Sequence, residues 1–185
     1  MQLFNRVKSI LLSPKQEWLV IAGENTTAAS TFFTYLLPLA VVSSLVFYFA
    51  LFSIAGAFGF LYGVYSCIIL FLQLVITVCL NAFITDKLAP TFASESNFPA
   101  SIRLMVYAST PVYVGSMLIF IPYIGWLGSL AGAIYGIYLL YLGLPVIKKT
   151  PQDKAPGYLA AIVICVLVVY FVLQAILWRL FNQTL

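Results

Sequence analysis

The sequence contains no histidine and few charged residues of either sign. Of its 185 residues 8% are charged, whereas 63% are hydrophobic. Because an average soluble domain has about 25% charged residues, a soluble fold of this size could not cover so much apolar surface. The missing histidine removes the commonest general base and the commonest metal ligand. The composition therefore predicts an integral membrane protein and argues against an enzyme.

The sequence also lacks the residue sets that usually hold a cofactor. Cys67, Cys79 and Cys165 lie inside apolar runs without CxxC spacing, which is typical of packing residues. No nucleophile–base pair, metal-ligand cluster or phosphate-binding loop is recognisable. The positive residues are spread between apolar spans and form no dense basic stripe, so nucleic acid is not an expected partner. We therefore expect no catalytic residue, no cofactor and no metal, and expect membrane lipids as partners.

Two long intervals without charge set the number of membrane spans. They lie between Glu24 and Asp86 and between Arg103 and Lys148. A single span needs about 20 residues, so each interval must hold two helices and a turn. The predicted fold is an all-α, polytopic membrane helix bundle with five transmembrane helices. The predicted spans are residues 31–54, 60–84, 103–121, 125–147 and 156–178.

Lysine and arginine bias predicts the orientation of these spans. One side carries eight positive residues, and the other side carries Arg179 alone. We therefore expect a bacterial inner-membrane protein with a cytoplasmic N-terminus and a periplasmic C-terminus. The eight residues are Arg6, Lys8, Lys15, Lys87, Arg103, Lys148, Lys149 and Lys154.

Residues 1–30 are predicted to form short cytoplasmic helices ahead of the membrane domain, residues 31–185. The first has apolar residues at helical spacing beside Arg6 and Lys8, which indicates an amphipathic helix lying on an anionic leaflet. Ser13, Pro14 and Gln16 carry the start signals of a second helix. The alternative is a disordered tail.

Span four carries a stripe of glycines. Gly128, Gly132 and Gly136 are four residues apart, and Gly143 follows after seven. Small residues at this spacing allow another helix to approach closely. Tight packing within the bundle is the favoured interpretation; a homodimer interface or a groove facing a substrate is the alternative.

Several polar or kinking residues fall inside the predicted spans. Pro111, after Thr110, predicts a kink that frees a carbonyl. Gln73 and Gln174 are each expected to face protein, because an unpaired amide in hydrocarbon costs several kcal/mol, roughly. Tyr135 has either of two roles, lining a polar seam or anchoring the helix at the interface. No charged residue lies mid-span, which argues against a coupled transporter.

The cytoplasmic side offers a set of charged and aromatic residues that could form a docking face for partners or contact lipid headgroups. The alternative is that these are ordinary solvated loop residues. They are Glu17, Trp18, Glu24, Lys148, Lys149, Asp153 and Lys154.

Three motifs in fixed order carry a family resemblance. They are the runs Tyr107–Pro111, Ile121–Gly125 and Tyr138–Pro145, with Pro14 and Trp18 ahead of them. In their order and spacing they resemble the bacterial branch of the Yip1 family over nearly the whole chain. The resemblance implies a five-span bundle with a cytoplasmic N-terminus. Eukaryotic relatives are linked to vesicle trafficking and small GTPases, but this sequence lacks their long N-terminal region, so a GTPase partner is not expected.

The favoured functional hypothesis is a non-enzymatic membrane scaffold that organises lipids or partner proteins. A homo-oligomer or a partner membrane protein would be its protein contact. The alternatives are an uncoupled transporter or channel with a polar seam near Pro111, Gln73 and Tyr135, and a lipid-handling protein that holds headgroups at Lys148 and Lys149.

Overall fold

The computed structural model describes residues 3–24, 26–55, 59–121 and 124–184, and every regular element in those ranges is a helix. Short 3₁₀ turns lie at Ala89–Phe92 and Met117–Phe120. The α-helices, in chain order, are α1 (Leu3–Leu12), α2 (Pro14–Gly23), α3 (Ala28–Thr31), α4 (Leu37–Ala55), α5 (Gly59–Leu88), α6 (Phe98–Ala108), α7 (Thr110–Ser116), α8 (Gly125–Ile147) and α9 (Ala155–Thr184).

Five helical stretches in the described chain are long and apolar enough to cross a membrane, as the sequence predicted. The fourth has the predicted bounds, residues 125–147. The third begins at Phe98, five residues earlier than predicted, because Asn97 caps the helix by accepting a hydrogen bond from the Ala100 amide. Pro99 in the first turn also favours this start. The predicted turn between the first two spans and the one between the third and fourth lie partly outside the described residues.

The first span joins α3 and α4 through a π-helical turn at Phe32–Leu36. The physical cause is Pro38, at the second position of α4. Proline has no N–H to donate to the carbonyl of Thr34, and its ring crowds that carbonyl. Opening the preceding turn to the wider π geometry relieves the conflict. Such turns frequently lie beside functional sites.

The third span is broken between α6 and α7, where Pro111 occupies the first turn of α7. This confirms the predicted kink. The glycines of α8 lie directly against this broken helix. A Cβ added at Gly132 would be 2.3 Å from the Pro111 carbonyl oxygen, and one at Gly128 would be 2.5 Å from the Gly115 oxygen. The stripe therefore packs against main chain within the bundle, as the favoured interpretation predicted.

Helices α1 and α2 form a hairpin in which α2 packs lengthwise against α8, while α1 contacts α7. Near the hairpin turn, the Tyr135 hydroxyl donates to the Leu11 carbonyl at 2.7 Å. One turn further along α2, the ring of Trp18 would lie 2.9 Å from a Cβ at Gly143. Because Tyr135 is near the middle of α8 and Gly143 is near its end, the hairpin runs along half of that helix. The apolar face predicted to meet lipid thus packs on the bundle instead, burying Ile10.

The charged residues gather where α8 ends. Lys148 pairs with Asp86, and Arg103 bonds to the main chain of Glu24. We call this region the charged end. On the outside, α9 is nearly unburied over its apolar stretch, which leaves its surface to lipid.

Candidate functional site

Arg6 of α1 is held between two carboxylates of the second helix and the segment after it. Its guanidinium donates to Glu17 and to Glu24. The side chains of Arg6 and Glu17 are each 7% exposed. Burying a charge is costly unless it is paired, and here the ion pairs hold α1 against α2. The pKa of Arg6 is raised overall, because the opposing effect of burial, which lowers it, is outweighed by the hydrogen bond donated to Glu24, the field of Tyr107 and the hydrogen bond donated to Glu17.

Arg103 fixes the end of α2 from the side of α6. Its guanidinium donates to the carbonyls of Glu24 at 3.0 Å and Ile21 at 3.4 Å. The last carbonyls of a helix have no i+4 amide within that helix. Arg103 supplies a donor to the Glu24 carbonyl and a second donor to that of Ile21, which also accepts from the Glu24 amide at 3.4 Å. The two arginines therefore act from opposite sides on the same short segment.

A wall of aromatic and hydroxyl groups lies beneath Arg6. The guanidinium carbon is 5.8 Å from the centre of the Tyr107 ring, within cation–π range. The Tyr35 ring meets Tyr107 edge-on at 4.7 Å. Tyr35 and Thr110 share a buried hydrogen bond of 2.9 Å. This bond ties the π-helical turn of the first span to the proline kink of the third.

A cavity of about 310 Å³ opens beside these groups. Its walls carry one guanidinium, one carboxylate and several hydroxyls, which makes it strongly polar for a membrane protein. The Thr26 hydroxyl is buried there without a hydrogen-bond partner. We call it the hairpin pocket. It is lined by Leu3, Arg6, Glu24, Thr26, Ser30, Thr31, Thr34, Tyr35 and Tyr107.

A second polar cluster at the charged end is fully occupied by internal bonds. The Lys148 ammonium donates to Asp86 at 2.9 Å and to Ser101 at 2.8 Å, and its side chain is 0% exposed. Asp86 also accepts from the Asn97 amide at 2.7 Å. This cluster joins α5, α6 and α8. The expectation that Lys148 contacts lipid headgroups is therefore wrong, because its ammonium is consumed inside the protein.

The predicted docking residues divide into buried and exposed members. Trp18 is completely buried and Glu17 nearly so, so neither is available at a surface and that expectation is wrong for both. Lys149 is exposed and pairs with Glu95 at 2.8 Å. The hydrogen bond and charge of Lys149 lower the pKa of Glu95. Asp153 and Lys154 are also exposed.

The polar residues predicted within the spans do not converge on one seam. Tyr135 is bonded to α1 and Thr110 to Tyr35. Gln174 was expected to face protein, which is wrong: it is exposed on α9 and bonds to Tyr170 one turn away at 3.0 Å. Gln73 is half-buried on α5. The transporter hypothesis needs these polar groups to line one common space, and among the described residues they do not share one.

The sequence contained a signal for the hairpin pocket that its hydrophobic pattern concealed. Arg6 lies three residues after Leu3 and four before Ile10, on the face of α1 that is apolar. Glu17 similarly precedes Ile21 by four residues. Residues at this spacing share one face of a helix. A charge on the inner face of each helix, opposite in sign, indicates a buried pair between them.

Comparison with known sequences identifies the family. The model of the Yip1 domain matches residues 8–173, nearly the whole chain. No curated protein and no solved structure matches it. The match includes the second half of α1, the pocket wall around Tyr107 and the glycine stripe of α8, while Arg6 lies before its first residue. The chain belongs to the Yip1 family of multi-pass membrane proteins.

Proposed function

We propose that this protein is a non-enzymatic membrane organiser that binds lipids or partner proteins at its charged end. In this proposal the charged end and the N-terminus face the cytoplasm of a bacterial inner membrane, and the C-terminus faces the periplasm. The lysine and arginine bias of the loops supports this orientation.

One observation carries the proposal: the charges at the charged end serve two separate purposes. Arg6, Glu17, Asp86 and Lys148 are paired inside the protein and fix its helices together. The loop that follows Lys148 remains exposed. A surface for partners needs this combination of a rigid base and accessible charge.

The packing of the spans favours an organiser over a transporter. The main chains of α7 and α8 are in direct contact along the glycine stripe, and Thr110 and Tyr135 are bonded to neighbouring elements. The buried charges in the described chain are neutralised by partners, which does not favour proton transfer.

Site-specific photo-crosslinking in native membranes tests the proposal. A photoreactive residue replaces Lys154 at the charged end, and a matched control replaces exposed Trp126 at the opposite end of α8. We expect discrete adducts with protein or lipid at position 154 that are absent at position 126. The same adduct pattern at both positions, or no adducts at either, would refute the proposal.

A further inference from the structure

We propose that the hairpin pocket binds the headgroup of phosphatidylethanolamine, a zwitterionic lipid. This inference rests on the proposed function and names the lipid that the charged end would hold. Its basis is the pocket between α1, the segment after α2 and the start of the first span. The lysine pair considered from the sequence is not part of it, because Lys148 is buried elsewhere.

The pocket lies where a lipid headgroup would lie. The first apolar span starts at Ala28. Pocket residues occur on both sides of that start, with Glu24 and Thr26 before it and Ser30 and Thr34 after it. Because the headgroup layer borders the hydrocarbon at the start of a span, the cavity is placed at that layer.

The walls fit a ligand that carries both signs of charge. Arg6 supplies a cation and Glu24 an anion on the same cavity. The Glu24 carboxylate binds Arg6 through one oxygen, and its side chain is 27% exposed, so the carboxylate remains accessible to an incoming group. A primary ammonium can donate to this carboxylate, while the hydroxyl of exposed Ser30 can donate to a phosphate oxygen.

The size and polarity of the pocket agree with this ligand. Its volume of about 310 Å³ lies at the lower end of known ligand sites, which range from roughly 300 to 1,000 Å³. Phe4 and Phe33 are strongly exposed on the two elements that flank the pocket, so the acyl chains have apolar surface to follow.

Lipid retention by the purified full chain tests the assignment. Native mass spectrometry compares phosphatidylethanolamine, phosphatidylcholine and phosphatidylglycerol with identical acyl chains. Phosphatidylcholine differs only by three methyl groups that remove the ammonium donors. We expect phosphatidylethanolamine to be preferred about tenfold over both, as expected for one charge-assisted hydrogen bond. Equal retention of phosphatidylcholine, or preference for phosphatidylglycerol, would overturn the inference.

Two variants locate the site. Glu24→Gln should reduce the preference to near unity, whereas Glu95→Gln, which changes an exposed carboxylate outside the pocket, should leave it unchanged. Since Glu24 also pairs with Arg6, a second variant is needed that spares the ion pair. Ser30→Phe fills the cavity from an exposed position and should abolish retention while the protein stays folded. Retention unchanged in Ser30→Phe would contradict the assignment.

A final arm separates the membrane lipid from a soluble ligand. Soluble phosphoethanolamine is offered without lipid; retention of the lipid alone supports the assignment, and retention of the soluble compound alone refutes it. The crosslinking experiment at Lys154 is independent of this outcome. Adducts there without any preference for phosphatidylethanolamine would leave the organiser proposal standing and reject the headgroup assignment.

Discussion

Replacing single glycines by alanine should destabilise the bundle in an order set by main-chain distances. At Gly132 the new methyl group would be 2.3 Å from a carbonyl oxygen of α7, and at Gly136 it would be 2.9 Å from one of α6. At Gly157 the nearest atom is a ring carbon at 3.4 Å, and at Gly23 nothing lies within 4 Å. The same chemical change therefore meets four different surroundings.

The structure sets the size of the effect. Ordinary contacts between heavy atoms lie near 3.5 Å, so α8 and α7 must separate by about 1 Å to admit Gly132→Ala. Overpacking of this kind costs about 1–3 kcal/mol. Alanine has a helix propensity about 1 kcal/mol better than glycine, which offsets part of that cost. We expect a net loss of up to about 2 kcal/mol for Gly132→Ala, less for Gly136→Ala, and no loss for Gly23→Ala or Gly157→Ala.

Reversible unfolding in mixed detergent micelles measures these free energies, with the buried Trp18 as fluorescent reporter. The four variants are compared in one titration series. A Gly132→Ala variant as stable as Gly23→Ala would refute the close contact between α7 and α8. An order of stabilities unrelated to the distances would do the same.

Other substitutions probe the ties at the charged end and along the hairpin. Lys148→Met removes the cation from the partly buried Asp86, whose side chain is 14% exposed, and should cost about 1.5–3 kcal/mol. Lys149→Met, on the exposed neighbour, should change the free energy of unfolding by less than about 1 kcal/mol. Equal effects of the two would contradict the burial of Lys148. Tyr135→Phe removes the hydrogen bond to α1, so it should lower the free energy of unfolding by about 1 kcal/mol and speed protease cleavage within the hairpin. Tyr138→Phe is the control, because the Tyr138 ring is exposed; it should change neither the stability nor the cleavage rate.

The spans were predictable because their cause is local in sequence. A run of apolar residues of bilayer length reads as a span wherever it occurs, and the bounds of α8 follow from glycine and lysine at its ends. The kink at Pro111 likewise follows from one residue type. The spacing of Gly128, Gly132 and Gly136 predicted close packing, although not which helix they meet.

The hairpin pocket was not predicted because its contacts join distant parts of the chain. Arg6 lies over the ring of Tyr107, and Tyr35 shares a hydrogen bond with Thr110. Adjacent lysines also have opposite environments. Lys149 adopts a left-handed backbone conformation with φ 51° just after α8, and this turn separates its exposed side chain from buried Lys148. The sequence pattern alone does not distinguish Lys148 from Lys149, because the two residues carry the same charge and lie in the same predicted loop.

In the N-terminal hairpin, α2 lies along α8 and α1 forms one wall of the hairpin pocket. Thiol crosslinking in native membranes tests this packing directly, with Ser13→Cys at the hairpin turn and Tyr138→Cys on α8, two positions that border one surface depression. The native cysteines are first replaced by alanine, and Ser13→Cys with Trp126→Cys is the control pair. We expect a rapid intramolecular crosslink between positions 13 and 138 and none between 13 and 126. Two results together would contradict this packing. Positions 13 and 138 would fail to crosslink, and the thiol at position 13 would react with an impermeant reagent as fast as a thiol placed at exposed Gln152.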